Sequence, residues 1–450
     1  MRTTIAIMIC KMITWLENIL GRKGSVFPGS IAKLIDKKAL EKIKYPKYVV
    51  VVTGSSGKGS TVNMISHILK TSGKKIVYNS SGSNIHNAMY SLLLNNSGTF
   101  NHEIKADVLL LEMDERFIAN TFKKGIITHM LITNVTRDQP ARNYHQKIIF
   151  DKIMEAVDDN VHMIINVDDP LLNRVKFIHK GKVTTYGIGK TKYDSKSVPP
   201  YAVDFAYCPK CHTKLVYEEY HYGDLGLYSC PKCDFDRNEA DYEAKNVDLT
   251  KRTFKLNNDT FKLDKNVFFA IYYTLGAIAL TNTIGIDIKD IKKAINDTPL
   301  KSKRMETYKV NGRNFETIES KNENALSYLQ SINYITSSPN VKTIIMGFEN
   351  VSRRYKYNDL SWLYDVDYEL LADDKTLDKI FLIGRFRYDV ATRLYYANIP
   401  KEKIILVDDV NEIISLVTKK SKGDIYSMVC FDMTEILTKL IKEASNEKNN

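Results

Sequence analysis

Apolar residues in this chain follow two rhythms. Short unbroken runs at Tyr48–Val52, Val108–Leu111, Met130–Ile132 and Met163–Ile165 alternate with longer stretches in which apolar positions recur at helical spacing. Unbroken runs are expected of strands covered on both faces, and their alternation with helices predicts an α/β protein built on a mostly parallel sheet. The first such helix is predicted over Thr61–Thr71, where Val62, Ile65, Ile68 and Leu69 share one face. Each run ends in a polar cluster, and the carboxyl ends of parallel strands are where ligands gather.

The alternation lapses from about 202 to 242, where tyrosines, cysteines and turn residues replace it, which predicts a small insertion. Val267–Ile284 then predicts a buried helix. A basic turn at Lys301, Ser302, Lys303 and Arg304 predicts a hinge into a last domain, with strands at Val341–Met346, Lys379–Ile383, Lys403–Val407 and Ile425–Val429. The expected organisation is an N-terminal helical segment (1–45), a central domain (46–300, with the insertion at about 202–242) and a C-terminal domain (301–450).

Near the N-terminus an apolar run at Thr4–Cys10 continues through Met12, Ile13, Trp15, Leu16, Ile19 and Leu20, with apolar positions recurring at helical spacing. The run is interrupted by Lys11, is followed by no small-residue cleavage site and is too short to span a bilayer. Packing of this helix on the protein's own body is the first reading. Contact with a membrane surface is the second, because Lys11, Arg22 and Lys23 flank the apolar face. The chain is thus expected in the cytoplasm, with peripheral placement at the inner face of the membrane as the variant.

At 450 residues the chain exceeds one usual core, and 44% hydrophobic with 26% charged residues is ordinary globular usage. The net charge of +12 permits nucleic acid, an acidic membrane or an anionic substrate. The lysines are scattered, so no nucleic-acid partner is expected.

The sharpest chemistry follows the first strand. In Gly54-Ser55-Ser56-Gly57-Lys58-Gly59-Ser60 the glycines let backbone N–H groups converge on phosphate oxygens, and the start of the next helix adds its positive dipole end. Lys58 would reach the outer phosphates of ATP, while Ser60 or Thr61 offers a hydroxyl to Mg²⁺. Val52 stands where the common pattern has its first glycine, and Gly59 follows the lysine. Glu112 and Glu115 follow the second strand and Asn134–Asp138 the third, and a carboxylate there could also hold Mg²⁺.

Cys208-Pro209-Lys210-Cys211 and Cys230-Pro231-Lys232-Cys233 are two knuckles 18 residues apart. That spacing suits four thiolates around one structural Zn²⁺ with no open position. Cys10 and Cys430 lie in apolar runs and read as packing residues.

Taken together these residues resemble the family of Mur-ligase-like synthetase subunits of bacterial lipid II isoglutaminyl synthase. The resemblance is carried by Gly24–Ala32, the phosphate loop, Asn79–Asn84, Glu112–Glu115, Thr133-Asn134, Arg137–Gln139, Asn166–Pro170, the four cysteines, Arg304-Met305, Lys321-Asn322 and Asp359–Asp365. It implies a Mur ligase central domain with an inserted zinc ribbon and a Rossmann-like C-terminal domain. By the same resemblance, Asn134, Asn166 and Asp168 join the loop residues in binding ATP, and Glu112 with Ser60 holds Mg²⁺. Arg304 and Lys58 would act on the phosphates as a carboxylate of a lipid-linked cell-wall precursor is activated. It also implies a GatD-like glutaminase subunit that delivers ammonia, with Asp359 completing that partner's Cys-His pair. From the residues alone Asp359 reads as a helix N-cap before Leu360-Ser361-Trp362. The Gly59-Ser60-Thr61 sequence is closer to the folylpolyglutamate synthetase version of the loop, which keeps a self-sufficient amino-acid ligase as the alternative. A zinc-ribbon nucleic-acid module is the third reading.

Overall fold

A computed structural model describes residues 1–21, 26–79, 84–139, 143, 145–197, 205–297, 305–320, 323–350 and 358–446. The chain divides into two compact units, the first drawn from Met1–Thr136, His145–Val198 and Phe205–Leu300 and the second mainly from Lys301–Asn450.

The first unit opens with α1 (Arg2–Ile19) and α2 (Phe27–Ile35), followed by β1 (Tyr48–Thr53), α3 (Lys58–Thr71), β2 (Ile76–Tyr78), α4 (His86–Asn96), β3 (Val108–Glu112) and β4 (His129–Ile132). Next come α5 (Gln146–Glu155), β5 (His162–Asn166), β6 (Val183–Ile188), β7 (Val216–Tyr222), β8 (Leu225–Ser229), β9 (Tyr242–Asp248), β10 (Thr253–Leu256), β11 (Asp259–Lys262), α6 (Phe268–Thr283) and α7 (Ile288–Asp297). Nine strands form one sheet in the order β11-β10-β9-β6-β5-β4-β1-β3-β2. All neighbours from β2 to β9 are parallel, and β10 and β11 extend the sheet antiparallel. The strand runs are unbroken because both faces are covered: Val49, Val51, Leu109 and Leu111 join the core on one side, while on the other α3 covers β1 and β3 and α6 covers β4, β5 and β6. That helix is buried without a break from Ala270 to Thr281, as an apolar surface on every side requires.

Residues 1–45 share this core and are not a separate body. Ala6, Ile7 and Cys10 of α1 and Ala32 of α2 pack into the same cluster as Leu93 and Leu94. Burial pushes the Cys10 thiol up to about 12, consistent with a packing role. At the other end of the sheet from the strand tips, His129 and His162 sit opposite one another in register, with ring centroids 5.2 Å apart. Burial, with positive charge nearby, pushes His129 down to about 4 and lowers His162 as well.

The insertion lies between β6 and β9, two strands that pair in parallel. A parallel pair needs a crossover, ordinarily helical. Here the connection is a ribbon containing the β7–β8 hairpin, with its own small core of Leu215, Tyr228 and Phe235 beside the cysteines.

The second unit contains β12 (Met305–Val310), β13 (Arg313–Glu319), α8 (Ala325–Thr336), β14 (Lys342–Gly347), β15 (Leu377–Ile383), α9 (Arg387–Tyr396), β16 (Ile404–Leu406), α10 (Ile413–Lys420), β17 (Asp424–Val429) and α11 (Phe431–Asn446). Its sheet order is β12-β13-β17-β14-β15-β16, parallel except for the β12–β13 hairpin at one edge. This is the expected Rossmann-like layout, with an edge hairpin added. Among the described residues, no helix is long and apolar enough to cross a membrane.

Candidate functional site

Strand order reverses at β1, which has β3 on one side and β4 on the other. Such a switch point leaves a crevice at the carboxyl ends of the strands. The residues that leave β1 there are Gly54–Gly57. Gly54 has φ +124°, and a Cβ on it would collide with Thr133 and Asn134; Gly57 has φ +81° and starts α3. Both positions therefore require glycine, one for space and backbone angle and one for backbone angle.

The loop is fixed from the β4 side. Ser55 N donates to Asn134 O at 2.8 Å, and the Ser55 hydroxyl exchanges bonds with the Thr136 backbone at 2.9 and 3.0 Å. Asn134 Oδ1 accepts from Ser56 N at 3.0 Å, and Thr133 Oγ1 donates to Ser56 O at 2.6 Å. From the β3 side comes Glu115, which is buried. Its Oε1 accepts from Gly54 N at 3.0 Å and from Lys58 Nζ at 2.7 Å. Lys58 also donates to Gly54 O.

What remains open at this loop suits a phosphate. The backbone N–H groups of the first turn of α3 have no intrahelical partner before Thr61 N, which bonds to Gly57 O at 3.0 Å. The buried Ser56 hydroxyl has no hydrogen-bond partner among the described residues. Hard donors that suit a divalent cation here are the hydroxyl of half-buried Ser60 and the carboxylate of Glu112, the latter at the last position of β3 opposite Val52. A hydroxyl and a carboxylate oxygen are the hard ligands that Mg²⁺ takes. Thr61 does not compete with Ser60, because it is fully buried and its hydroxyl donates to Gly57 O at 2.9 Å.

Two residues expected to bind the nucleotide are buried and bonded within the protein. Asn166 is fully buried; its Nδ2 donates to Thr133 O at 3.3 Å and its Oδ1 accepts from Asp168 N at 3.1 Å. It braces the end of β4 from behind. Asp168 is also fully buried, and its carboxylate accepts from Arg237 Nε at 2.7 Å, Tyr272 Oη at 2.7 Å and Ile188 N at 2.8 Å. Arg237 belongs to the insertion and also pairs with Glu243. Asp168 thus ties the insertion and α6 to the sheet. Its neighbour Asp169 caps a short helix at Pro170 and accepts from Val135 N at 2.7 Å, and burial pushes it up to about 6 despite those bonds.

The sequence pointed to Glu112 and Glu115 together and weighted Glu112. It is Glu115 that holds Lys58. The signal that separates them is register: Glu112 ends the strand, whereas Glu115 lies in the turn that folds back over Gly54.

The four cysteines converge. Their sulfurs all lie within 4.8 Å of one another, with Cys208 to Cys233 at 3.6 Å and Cys211 to Cys230 at 3.4 Å. Tetrahedral thiolates at ~2.3 Å from Zn²⁺ would stand about 3.8 Å apart, so the cluster fits that ion. Lys210 N points at Cys208 Sγ at 3.4 Å, as a knuckle turn places it.

In the second unit, Asp359 Oδ1 accepts from Ser361 N at 2.9 Å and begins the short helical turn Ser361–Asp365. That turn seats Trp362 against Tyr328 and Phe348. The carboxylate itself is half-exposed. Arg304 lies outside the described residues, as do 24–25, 80–83 and 321–322 among the segments that carried the resemblance.

A phosphate loop at the switch point of this sheet, followed by a second α/β unit, defines a Mur-ligase-type protein. A family model described as Mur ligase middle domain matches residues 52–207, and one described as MurT ligase C-terminal matches residues 321–433. The chain is similar to MurT proteins over nearly its whole length. It is 26% identical over 402 residues to the MurT subunit of lipid II isoglutaminyl synthase (glutamine-hydrolyzing) from Staphylococcus aureus strain N315, covering 89% of each chain. It is 24% identical over 439 residues to the subunit of the same name from Streptococcus pneumoniae, covering 96% of this chain and 95% of that one. Among solved structures, a pseudomurein peptide ligase type C from Methanothermus fervidus shares the fold, with TM-score 0.67, 21% identity and coverage of 92% of this chain and 84% of that one.

Proposed function

We propose that this chain is the synthetase subunit of a glutamine-hydrolysing lipid II isoglutaminyl synthase, an ATP-dependent ligase of the cytoplasm. It uses ATP to phosphorylate a carboxylate, the α-carboxylate of D-glutamate in lipid II, and ammonia then displaces the phosphate to leave an amide. The observation that carries this reading is Lys58, held by Glu115 at the start of α3, in a chain whose C-terminal unit matches the MurT model.

In the first step a carboxylate oxygen attacks the γ-phosphorus and ADP leaves; in the second, ammonia nitrogen attacks the acyl carbon, phosphate leaves and a proton is lost. The backbone N–H groups of Gly57–Ser60 cradle the phosphates while Gly54–Ser56 are held by the protein, and Lys58 neutralises charge that develops on the transferring group. Asn134 and Thr133 keep the loop from relaxing between turnovers. Ser60 and Glu112 would hold Mg²⁺, which supplies further charge neutralisation on the phosphates. Arg304 is assigned to the phosphates as well. Asp359 would orient the histidine of a GatD-like glutaminase partner and stabilise its cation. The cysteines would hold a structural Zn²⁺ that keeps the insertion folded.

The test is product mass after incubation with ATP, lipid II and either glutamine plus the glutaminase partner or free ammonia. The small mass decrease of hydroxyl replaced by amine is expected. Gain of an amino-acid mass would overturn amidation in favour of a self-sufficient ligase.

A further inference from the structure

The helix α1 differs from an ordinary surface helix in being apolar on both faces. One face, with Ala6, Ile7 and Cys10, is buried in the first unit. The face toward solvent is also apolar: Met8, Met12, Trp15 and Ile19 recur at four, three and four residues, and all are more than half exposed. The neighbouring α2 packs along α1 and adds Phe27 at 56% and Leu34 at 74% exposure. Large side chains of this kind, presented together, mark an interaction surface.

Charge says what the surface meets. Residues 1–45 hold nine Lys or Arg against three Asp or Glu, so one tenth of the chain carries half of its net charge of +12. Two of the three acids are already matched: Asp36 is buried and bonded by Thr3 at 2.6 Å and Lys42 at 2.7 Å, and Glu41 pairs with Lys123 at 2.6 Å. Arg2, Lys37 and Lys38 are exposed. An apolar helical face with tryptophan, set in an excess of positive charge, is complementary to an anionic bilayer surface.

We propose that α1 and α2 dock this protein on an anionic phospholipid surface, α1 lying in the plane of the interface. Its buried face fixes it to the body of the protein, so it rests on the bilayer and does not insert across it. The proposal stands on the helix and its charge and does not require the substrate assignment above.

The test uses the full chain with its partner subunit and vesicles free of any cell-wall precursor. Flotation with phosphatidylglycerol vesicles is expected, with at least tenfold less on phosphatidylcholine and less again in high salt. The chain has two tryptophans and Trp362 is buried, so a blue shift in emission on binding reports Trp15. The pair Met12→Gln and Ile19→Gln, both at exposed positions, should reduce flotation at least tenfold while melting temperature and ATP turnover hold. Failure of the unaltered protein to float, or equal flotation of the double variant, overturns the proposal. So does a dimer, or an assembly with the glutaminase, that the double variant disrupts, since the face would then belong to a protein contact.

Discussion

Lys58 Nζ lies 2.7 Å from Glu115 Oε1, and the same oxygen accepts from Gly54 N at 3.0 Å. One carboxylate therefore fastens both the exit of β1 and the first residue of α3. A nucleotide that takes Lys58 draws it from a preformed partner and not from water, so the loop keeps its shape in either state.

Lys58→Ala is expected to lower ATP-dependent turnover by about 10²–10³ or more, as loss of a charge donor on a transferring group does. Circular dichroism and bound metal should be unchanged. Glu115→Gln should weaken turnover less, and lower the melting temperature, because Gly54 N keeps an acceptor. Full activity in Lys58→Ala would remove the loop from the chemistry.

Removal of metal should act on the insertion before the rest of the chain. One Zn²⁺ per chain is expected by metal analysis, falling to a fraction in Cys208→Ser or Cys230→Ser. Among the described residues the core beside the cysteines is Leu215, Tyr228 and Phe235 with Tyr217 packed against it, too small to stand unaided. Limited proteolysis after chelation should cut first within residues 205–241, and a metal-free protein with an uncut insertion would argue against the ion.

Asp359 separates two activities. Asp359→Ala should abolish glutamine-dependent amidation and spare the ammonia-dependent reaction. Equal loss of both would assign Asp359 only to the turn that seats Trp362.

Acid should destabilise the first unit through the paired imidazoles. His129 is pushed down to about 4 by burial, so its contribution is present above the ordinary 6.5 and is lost as pH falls toward about 4, and His162, also lowered by burial, acts in the same direction. The slope is at most ~1.4 kcal/mol per pH unit for each group. Asp169 has the reverse sign: raised to about 6, its contribution is present below 3.8 and lost as pH rises through 6, which partly offsets the histidines between 4 and 6. Melting temperature measured from pH 7.5 to 4.5 should fall, and His129→Phe should flatten the fall. An unchanged slope in that variant would place the acid sensitivity elsewhere.

The strands that build the sheet were legible because they are covered on both faces and so carry no polar interruption, as in Val49–Val52 and Leu109–Leu111. The β12–β13 hairpin escaped notice because Glu306, Lys309, Arg313, Asn314 and Glu316 break its apolar pattern at the edge of a sheet. The loop and the four cysteines are local in sequence, and so were read directly. The resemblance assigns Asn166 and Asp168 to the nucleotide, and in sequence a polar residue after a strand looks the same whether it meets a ligand or the protein itself. Only the tertiary partners, Thr133 for one and Arg237 with Tyr272 for the other, tell the two apart.

The Asp168 carboxylate also sets a limit on how such a protein can be recombined. It draws one donor from the ribbon, one from α6 and one from the end of β6, none adjacent in sequence. A chimera that exchanged the ribbon for the helical crossover of another ligase would strand a buried negative charge unless a new cation came with it. The ribbon is therefore heritable only as a set with Asp168 and Tyr272, and grafts that carry all three are the ones expected to fold.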